Sequence, residues 1–358
     1  MDMKSQRDIR RVRPACSIED FAAQITQALV GNGPAIGIGE IHSQICPSNI
    51  ALVVGTSGTS GLSKEVAFTA SAVLKSAKSA NKFLNAKPGS RWSLLLPLTH
   101  IAAVNVIVRS MELGTLPIDL RESHEQYPKV DFTSIVPTQL FRALNGDNQL
   151  LQHIQNAQSV LVGGAALTST LREQALKQNI HIIETYGMTE TSGGCVYNGQ
   201  PIEGVEFALT DEGLVKIRGP VLATSYLNTP ELFKVNDGWF QTNDLGEINN
   251  GQLTILGRAD DVVISGGENI SLTAIEATLS IRFPEIEFAA FAIKDLQWGD
   301  ALHLAVVGDI TDSEIALYLE AALGFASKPK GIHHIDSLPL LGIGKVDRSA
   351  LAKMVSNE

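Results

Sequence analysis

Four apolar residues, Ala51 to Val54, run without a break into GTSGTSGLSK, Gly55 to Lys64, so a buried strand ends in a loop of small and hydroxylated residues. Ser159 to Val162 stops in the same way at Gly163 and Gly164, and Ile180 to Thr185 at Tyr186 and Gly187. Between such runs lie stretches of helical periodicity. Ser71 to Leu84 carries Val73, Ala77, Ala80 and Leu84 on one face and breaks at Pro88 and Gly89, and Ile101 to Leu113 reads as a buried helix. With further strands at Trp92 to Pro97 and Ser134 to Pro137, the pattern from Ile50 to Gly257 predicts a layered α/β domain rather than a sandwich or a bundle.

Between Glu203 and Leu256 the strands become short and close-set, with turns at Asp211 to Gly213, Asn236 to Gly238 and Asn249 to Gly251, which predicts an antiparallel β subdomain. After GRADD, Gly257 to Asp261, a small α+β unit restarts. It has a helix over Ile275 to Phe283, strands over Ile286 to Ile293 and His303 to Val307, and a helix over Asp312 to Leu323. The expected division is a large N-terminal domain over residues 1–259 and a small C-terminal domain over 260–358.

With 358 residues, 44% of them hydrophobic and 18% charged, the chain can bury a core in each domain. The net charge of −10 and the lack of a long basic run argue against a nucleic-acid partner. Arg7, Arg10, Arg11 and Arg13 read as a solvated start of the chain rather than a functional arm. Cys16, Cys46 and Cys195 are widely spaced without a CxxC pair, which fits a reducing cytoplasm. No apolar run reaches membrane-spanning length, and the N-terminus does not read as a signal peptide.

Phosphate-cradling loops use glycine because a Cβ would block the backbone N–H groups from converging on an anion, and hydroxyls add donors. GTSGTSGLSK meets that need, although a flexible surface turn is the competing reading. It is not the G-x-x-x-x-G-K-[ST] signature, since Lys64 is followed by Glu65.

Five motifs extend this loop in order: TSGTSGLSKEV, YGMTETSGG (Tyr186 to Gly194), GWFQTNDLGEI (Gly238 to Ile248), GRADDVVISGGENISLTAIE (Gly257 to Glu276) and GKVDRSAL (Gly344 to Leu351). Together the motifs resemble the adenylate-forming superfamily of acyl-CoA synthetases, peptide-synthetase adenylation domains and luciferases. Through LPLTHIAAVNVI, VPTQL, LVGGAALTSTL and YGMTETSGGCVYNG the chain is most similar to a shortened form of the o-succinylbenzoate-CoA ligases of menaquinone synthesis. The resemblance implies an AMP-forming acid-thiol ligase that uses ATP, Mg²⁺ and coenzyme A, with a mobile C-terminal domain.

The same resemblance implies residue roles. Thr56, Ser57, Gly58, Thr59 and Lys64 hold the outer phosphates, Thr189 meets the α-phosphate, and Glu190 holds Mg²⁺. A capping carboxylate is the alternative for Glu190. Tyr186 and Gly187 face the adenine, and Gly163, Gly164 and Ala165 let the base approach the backbone. Asp244 and Arg258 serve the ribose, or else pair as a structural salt bridge. Lys345, in the pattern P-x-x-x-x-G-K-x-x-R from Pro339 to Arg348, is the catalytic lysine of adenylation. Asp260 falls at the hinge, and Gly266 and Gly267 suit passage of a pantetheine arm. The acid pocket draws on His100, Val136, Thr138, Gly163, Gly164, Gly193 and Gly194, with Gly193 and Gly194 leaving room for a flat aromatic acid. For His100, an internally satisfied histidine at a helix start is the alternative.

Ser63, Glu65 and Asn243 depart from the family pattern without removing an assigned contact, and could slow loop closure. The short segment before the loop is expected to be compensated by a compact first domain or by a homodimer. Two rivals share these residues: an enzyme that loads a carrier protein instead of CoA, and a non-catalytic binder of carboxylates or nucleotides.

Overall fold

The computed structural model describes residues 6–56, 63–122, 127–265, 268–295, 299–341 and 345–356. Ser57, Gly58, Thr59, Gly266 and Gly267 therefore lie outside the described residues.

The first sheet contains β1 (Gln6–Arg11), β2 (Ala35–Ile38), β3 (Ile45–Pro47), β4 (Ile50–Thr56), β5 (Lys64–Thr69) and β15 (Ser225–Tyr226), in the order β15-β5-β4-β2-β1-β3. Helix α1 (Ile18–Leu29) begins where the Ser17 hydroxyl accepts from the Asp20 amide. It buries Ile18, Phe21, Ala22, Ile25 and Ala28, a stripe at helical spacing. Arg7 is not a free solvated side chain. Its guanidinium donates to the carbonyls of Ala28 and Ile50, at 3.3 and 3.1 Å, and to that of Gly33, tying β1 to α1 and β4. Arg10, Arg11 and Arg13 are exposed, as expected.

The second sheet runs β12-β11-β10-β9-β8-β6-β7, with β6 (Trp92–Leu94), β7 (Ile118–Asp119), β8 (Phe132–Ile135), β9 (Ser159–Gly163), β10 (Ile182–Met188), β11 (Gly193–Tyr197) and β12 (Gln200–Pro201). Strands β6 to β10 are mutually parallel, and β11 and β12 turn back antiparallel. Helices α2 (Ala70–Phe83) and α3 (Ile101–Glu112) share one core with α1, with Val54, Val66 and Phe68 of the first sheet and with Leu94, Phe132 and Leu161 of the second. Helix α3 is buried on nearly every side, which explains its continuous apolar run. The other face of the second sheet packs on α4 (Pro137–Leu144), α5 (Asn148–Asn156) and α6 (Ser169–Lys177). The layers are thus sheet, helices, sheet, helices.

Two expected strands end earlier than the sequence suggests. Strand β6 stops at Leu94, and β8 stops at Ile135 because Pro137 starts α4, where a missing N–H costs nothing. Between the glycine loop and the first helix after it, where the sequence predicts no strand, β5 intervenes.

Strands β13 (Glu206–Leu209), β14 (Leu214–Arg218), β16 (Val235–Asn236), β17 (Trp239–Asn249) and β18 (Gln252–Arg258) form the antiparallel subdomain. Beyond it lie β19 (Val262–Ser265), β20 (Glu268–Ser271), α7 (Leu272–Arg282), β21 (Glu287–Asp295), β22 (Gly299–Val307), α8 (Asp312–Leu323), β23 (Gly331–His334), β24 (Leu340–Leu341), β25 (Lys345–Val346) and α9 (Arg348–Ser356). Their core, from Val263 to Leu319, is separate from that of the large sheets.

Candidate active site

Parallel strands place their carboxyl ends on one edge, and ligands of such sheets bind where the strand order reverses. Here β6 has β7 on one side and β8 on the other, so the reversal lies between β6 and β8. Registers Leu94↔Ser134, Ile135↔Val162 and Gly163↔Thr185 align the strand ends. The segments leaving that edge carry His100, Val136, Thr138, Gly164, Ala165 and Tyr186 to Gly194. His100 is the N-cap residue of α3 without a side-chain cap bond, and Val136 is the N-cap of α4, its amide held by Gln139. Thr138 is exposed.

The glycine-rich segment is flanked by β4 and β5, whose last described pair is Thr56↔Lys64. The segment, with a strand on each side, is distinct from the strand–loop–helix of nucleoside triphosphatases. At its stem the Lys64 ammonium lies 4.8 Å from the centroid of the Tyr226 ring. The Tyr226 hydroxyl donates to Glu190 Oε1 at 2.6 Å. Burial and the adjacent Glu190 push the Tyr226 phenol far up, so it stays a donor.

Glu190 lies in the single 3₁₀ turn Thr189–Thr191. The amide of Met188 that opens the turn is met by Thr191 Oγ1 at 2.9 Å, so Thr191 performs the capping and leaves the Glu190 carboxylate to Tyr226. Among the described residues no cluster of three or more His, Cys, Asp or Glu side chains gathers. A lone carboxylate of this kind suits Mg²⁺, a cation held by few carboxylates plus substrate phosphates.

Asp244 is 6% exposed and has several partners. Its Oδ2 accepts from the Tyr186 hydroxyl at 2.7 Å, its Oδ1 lies 3.5 Å from Arg258 Nη1, and its amide donates to Thr242 Oγ1 at 3.0 Å. Register Asp244↔Arg258 across β17 and β18 brings this pair together. The structural ion pair between Asp244 and Arg258 is thus present. Burial first, then Asp244, pushes the Tyr186 phenol far up.

The glycines are fixed by packing. A Cβ on Gly193, whose φ is +81°, would lie 2.4 Å from Asn105 Nδ2 of α3, and one on Gly163 would lie 2.2 Å from Thr185 Oγ1. At Gly187 it would meet the Gly193 carbonyl oxygen at 2.1 Å. Packing by itself is therefore sufficient to exclude a side chain at Gly163 and Gly193.

The remaining candidates come from the C-terminal side. Asp260 belongs to the 3₁₀ turn Ala259–Asp261 between β18 and β19. Gly266 and Gly267 fall between the paired residues Ser265 and Glu268. Lys345 starts β25, opposite Leu341. Of the motif residues here, Arg348 has a structural role: Nη2 meets both Glu276 oxygens at 2.8 and 2.9 Å, and Nε donates to the Ala290 carbonyl. Burial pushes the Glu276 carboxyl up to about 7 against the pull of Arg348.

Sequence reasoning missed two residues. Tyr226 is an isolated aromatic in ATSYLN, with no periodicity to mark it. Glu65, read as a departure without an assigned contact, is fully buried, and Oε1 accepts from the amides of His42 and Ser43 at 2.6 and 3.0 Å. It pins the segment after β2 to the stem of the loop.

Comparison with known proteins agrees with this geometry. The AMP-binding enzyme family matches residues 6–225. The chain is 36% identical over 332 residues to a probable 2-succinylbenzoate–CoA ligase of Mycobacterium tuberculosis, covering 87% of this chain and 86% of that one. It is 29% identical to the 2-succinylbenzoate–CoA ligase of Lactococcus lactis, covering 84% and 70%. Among solved structures, o-succinylbenzoate CoA synthetase of Bacillus subtilis in complex with its acyl-adenylate intermediate shares the fold, with a TM-score of 0.75, 22% identity, and 96% and 82% coverage. Wild-type E. coli MenE with a bound m-phenylether-linked analogue of OSB-AMS gives a TM-score of 0.69 at 25% identity, covering 97% and 82%. Fold and site together define an adenylate-forming enzyme. The chain belongs to the AMP-binding enzyme family.

Proposed function

We propose that this enzyme is a 2-succinylbenzoate–CoA ligase of menaquinone biosynthesis, working in the cytoplasm. The supporting observation is the 36% identity with the mycobacterial relative across nearly the full length of both chains, together with motif residues that leave one strand edge. Among the described residues the three cysteines are free and no helix is long and apolar enough to cross a membrane, which fits that location.

In the first half-reaction the acid's carboxylate attacks the α-phosphate of ATP and pyrophosphate leaves. In the second, the CoA thiol attacks the acyl carbonyl and AMP leaves. Thr56, Ser57, Gly58, Thr59 and Lys64 take the outer phosphates, Thr189 the α-phosphate, and Tyr186, Gly187 and Gly163 to Ala165 the adenine. Asp244 accepts from the ribose hydroxyls, its Oδ2 held by the Tyr186 hydroxyl and its Oδ1 facing Arg258. Glu190 would hold Mg²⁺, which supplies charge neutralisation for the triphosphate. His100, Val136, Thr138, Gly193 and Gly194 face the acid. Lys345 brings a positive charge to the developing phosphoryl oxygens, and preorganised charge of this kind is the largest lever on such a step. The domain division falls at Asp260, where rotation would withdraw Lys345 and bring Gly266 and Gly267 to the CoA channel.

The test is incubation with ATP, Mg²⁺, CoA and 2-succinylbenzoate, read by mass spectrometry for the CoA thioester, beside benzoate and fatty-acid arms. Thioester from 2-succinylbenzoate above the other acids supports the assignment. Thioester only from the others overturns the substrate, and acyl transfer only to a phosphopantetheinyl carrier overturns the acceptor.

A further inference from the structure

Tyr226 lies outside every motif that marks the site, yet its side chain touches both charged groups on the phosphate side. Its ring presents a face to Lys64, with the ammonium 4.8 Å from the centroid, and its hydroxyl donates to Glu190 at 2.6 Å. Among the described residues neither Lys64 nor Glu190 forms an ion pair. A direct Lys–Glu pair would spend each charge on the other. A ring that meets the cation by its negative face and the anion by its hydroxyl keeps both close and leaves each with free valence for a ligand.

The ring is held by both motifs it serves. β15 pairs with β5 through Ser225↔Ala67 and Tyr226↔Val66. The Leu227 amide donates to the Glu65 carbonyl, and Asn228 accepts from the Glu65 amide and donates to the Ser63 carbonyl. At the other end the Ala223 amide donates to the Glu190 carbonyl at 2.8 Å. The segment Ala223 to Asn228 is thus a bracket between the loop stem and the Thr189–Thr191 turn. Phe233 packs edge-on against the Tyr226 ring at 5.1 Å, and the residue is 3% exposed.

The geometry points to Tyr226 as a positioning residue for metal-nucleotide binding: its hydroxyl occupies one oxygen of Glu190 and aims the other at the cation carried by the triphosphate. This rests on the assignment of Glu190 to Mg²⁺, and not on which acid is activated.

Tyr226→Phe removes one oxygen and keeps the ring. Calorimetric titration with ATP, with and without Mg²⁺, reads the effect without turnover. Loss of a residue that orients a metal ligand costs about 10-fold or more in affinity. We expect MgATP binding to weaken roughly 10-fold, metal-free ATP binding to change less than about twofold, and the thermal midpoint to stay near wild type. In a Glu190→Gln background the Tyr226→Phe change should add nothing, because both act on one contact. Unchanged MgATP affinity overturns the proposal, with or without a lower melting temperature, since the ring is then only packing. Equal weakening with and without Mg²⁺, or full additivity with Glu190→Gln, also overturns it. If 2-succinylbenzoate proves not to be the substrate, these titrations still give their answer.

Discussion

The carboxyl edge of the second sheet and the chain beyond Arg258 handle charge in opposite ways. On that edge and on the neighbouring β17, polar groups of the site are held by their neighbours: Asp244 of β17 by Tyr186, Arg258 and Thr242, and Glu190 by Tyr226. Beyond Arg258, Glu276 and Arg348 form an ion pair that serves that unit's own core, Lys345 starts a two-residue strand and Asp260 belongs to a 3₁₀ turn. Groups that bind the nucleotide throughout profit from preorganisation, because fixed dipoles cost no reorganisation during reaction. A charge needed for one half-reaction and obstructive in the next belongs on a small body with a separate core. That division of labour is the reading we propose for the two regions.

Four substitutions can break or sharpen the contrast. Lys345→Ala should lower acid-dependent pyrophosphate release roughly 100- to 1,000-fold, the usual cost of losing one preorganised stabilising group. Conversion of a supplied acyl-adenylate to thioester should survive, and equal loss of both steps would merge the two regions into one rigid site. Arg348→Met leaves the partly buried Glu276 without its cation and should destabilise the C-terminal unit by roughly 1–3 kcal/mol. Hydrogen exchange should then rise across β21 and α9 while α3 stays protected.

Asp244→Asn keeps the shape but loses the charge, so the Michaelis constant for ATP should rise roughly 10- to 100-fold, the worth of a charge-assisted hydrogen bond. The constant for the acid should hardly move in steady-state assays. Asp260→Pro is the mildest: thioester formation should fall about 10-fold while adenylate formation remains near wild type. Similar losses in both half-reactions, measured separately, would remove the hinge.

Much of this was legible in the sequence, for physical reasons. Strand β4, helix α2 and helix α8 declare themselves through uninterrupted apolar runs or helical spacing with clear breakers. Strand β5 did not, because it opens with Lys64 and Glu65, and charge ordinarily argues against a buried strand. The Glu65 carboxylate is buried because two backbone amides of a distant loop satisfy Oε1, a fact no local pattern carries. Tyr226 escaped for the same reason. Its importance rests on Lys64 and Glu190, far away in the chain, and on a bracket closed by Asn228 and Glu65, 163 positions apart. The glycines were legible as glycines, but the force that demands them at Gly163 and Gly193, packing against Thr185 and Asn105, needs the fold.

The central claim is that one fixed nucleotide site serves two reactions joined by an acyl-adenylate. The most direct test omits CoA, supplies ATP, Mg²⁺ and 2-succinylbenzoate, and then adds CoA as a chase under mass spectrometry. The account predicts the mixed anhydride of the acid with AMP, together with pyrophosphate, before the chase, and CoA thioester with free AMP after it. Thioester formation accompanied by ADP and inorganic phosphate, with no adenylate at any time, would contradict it.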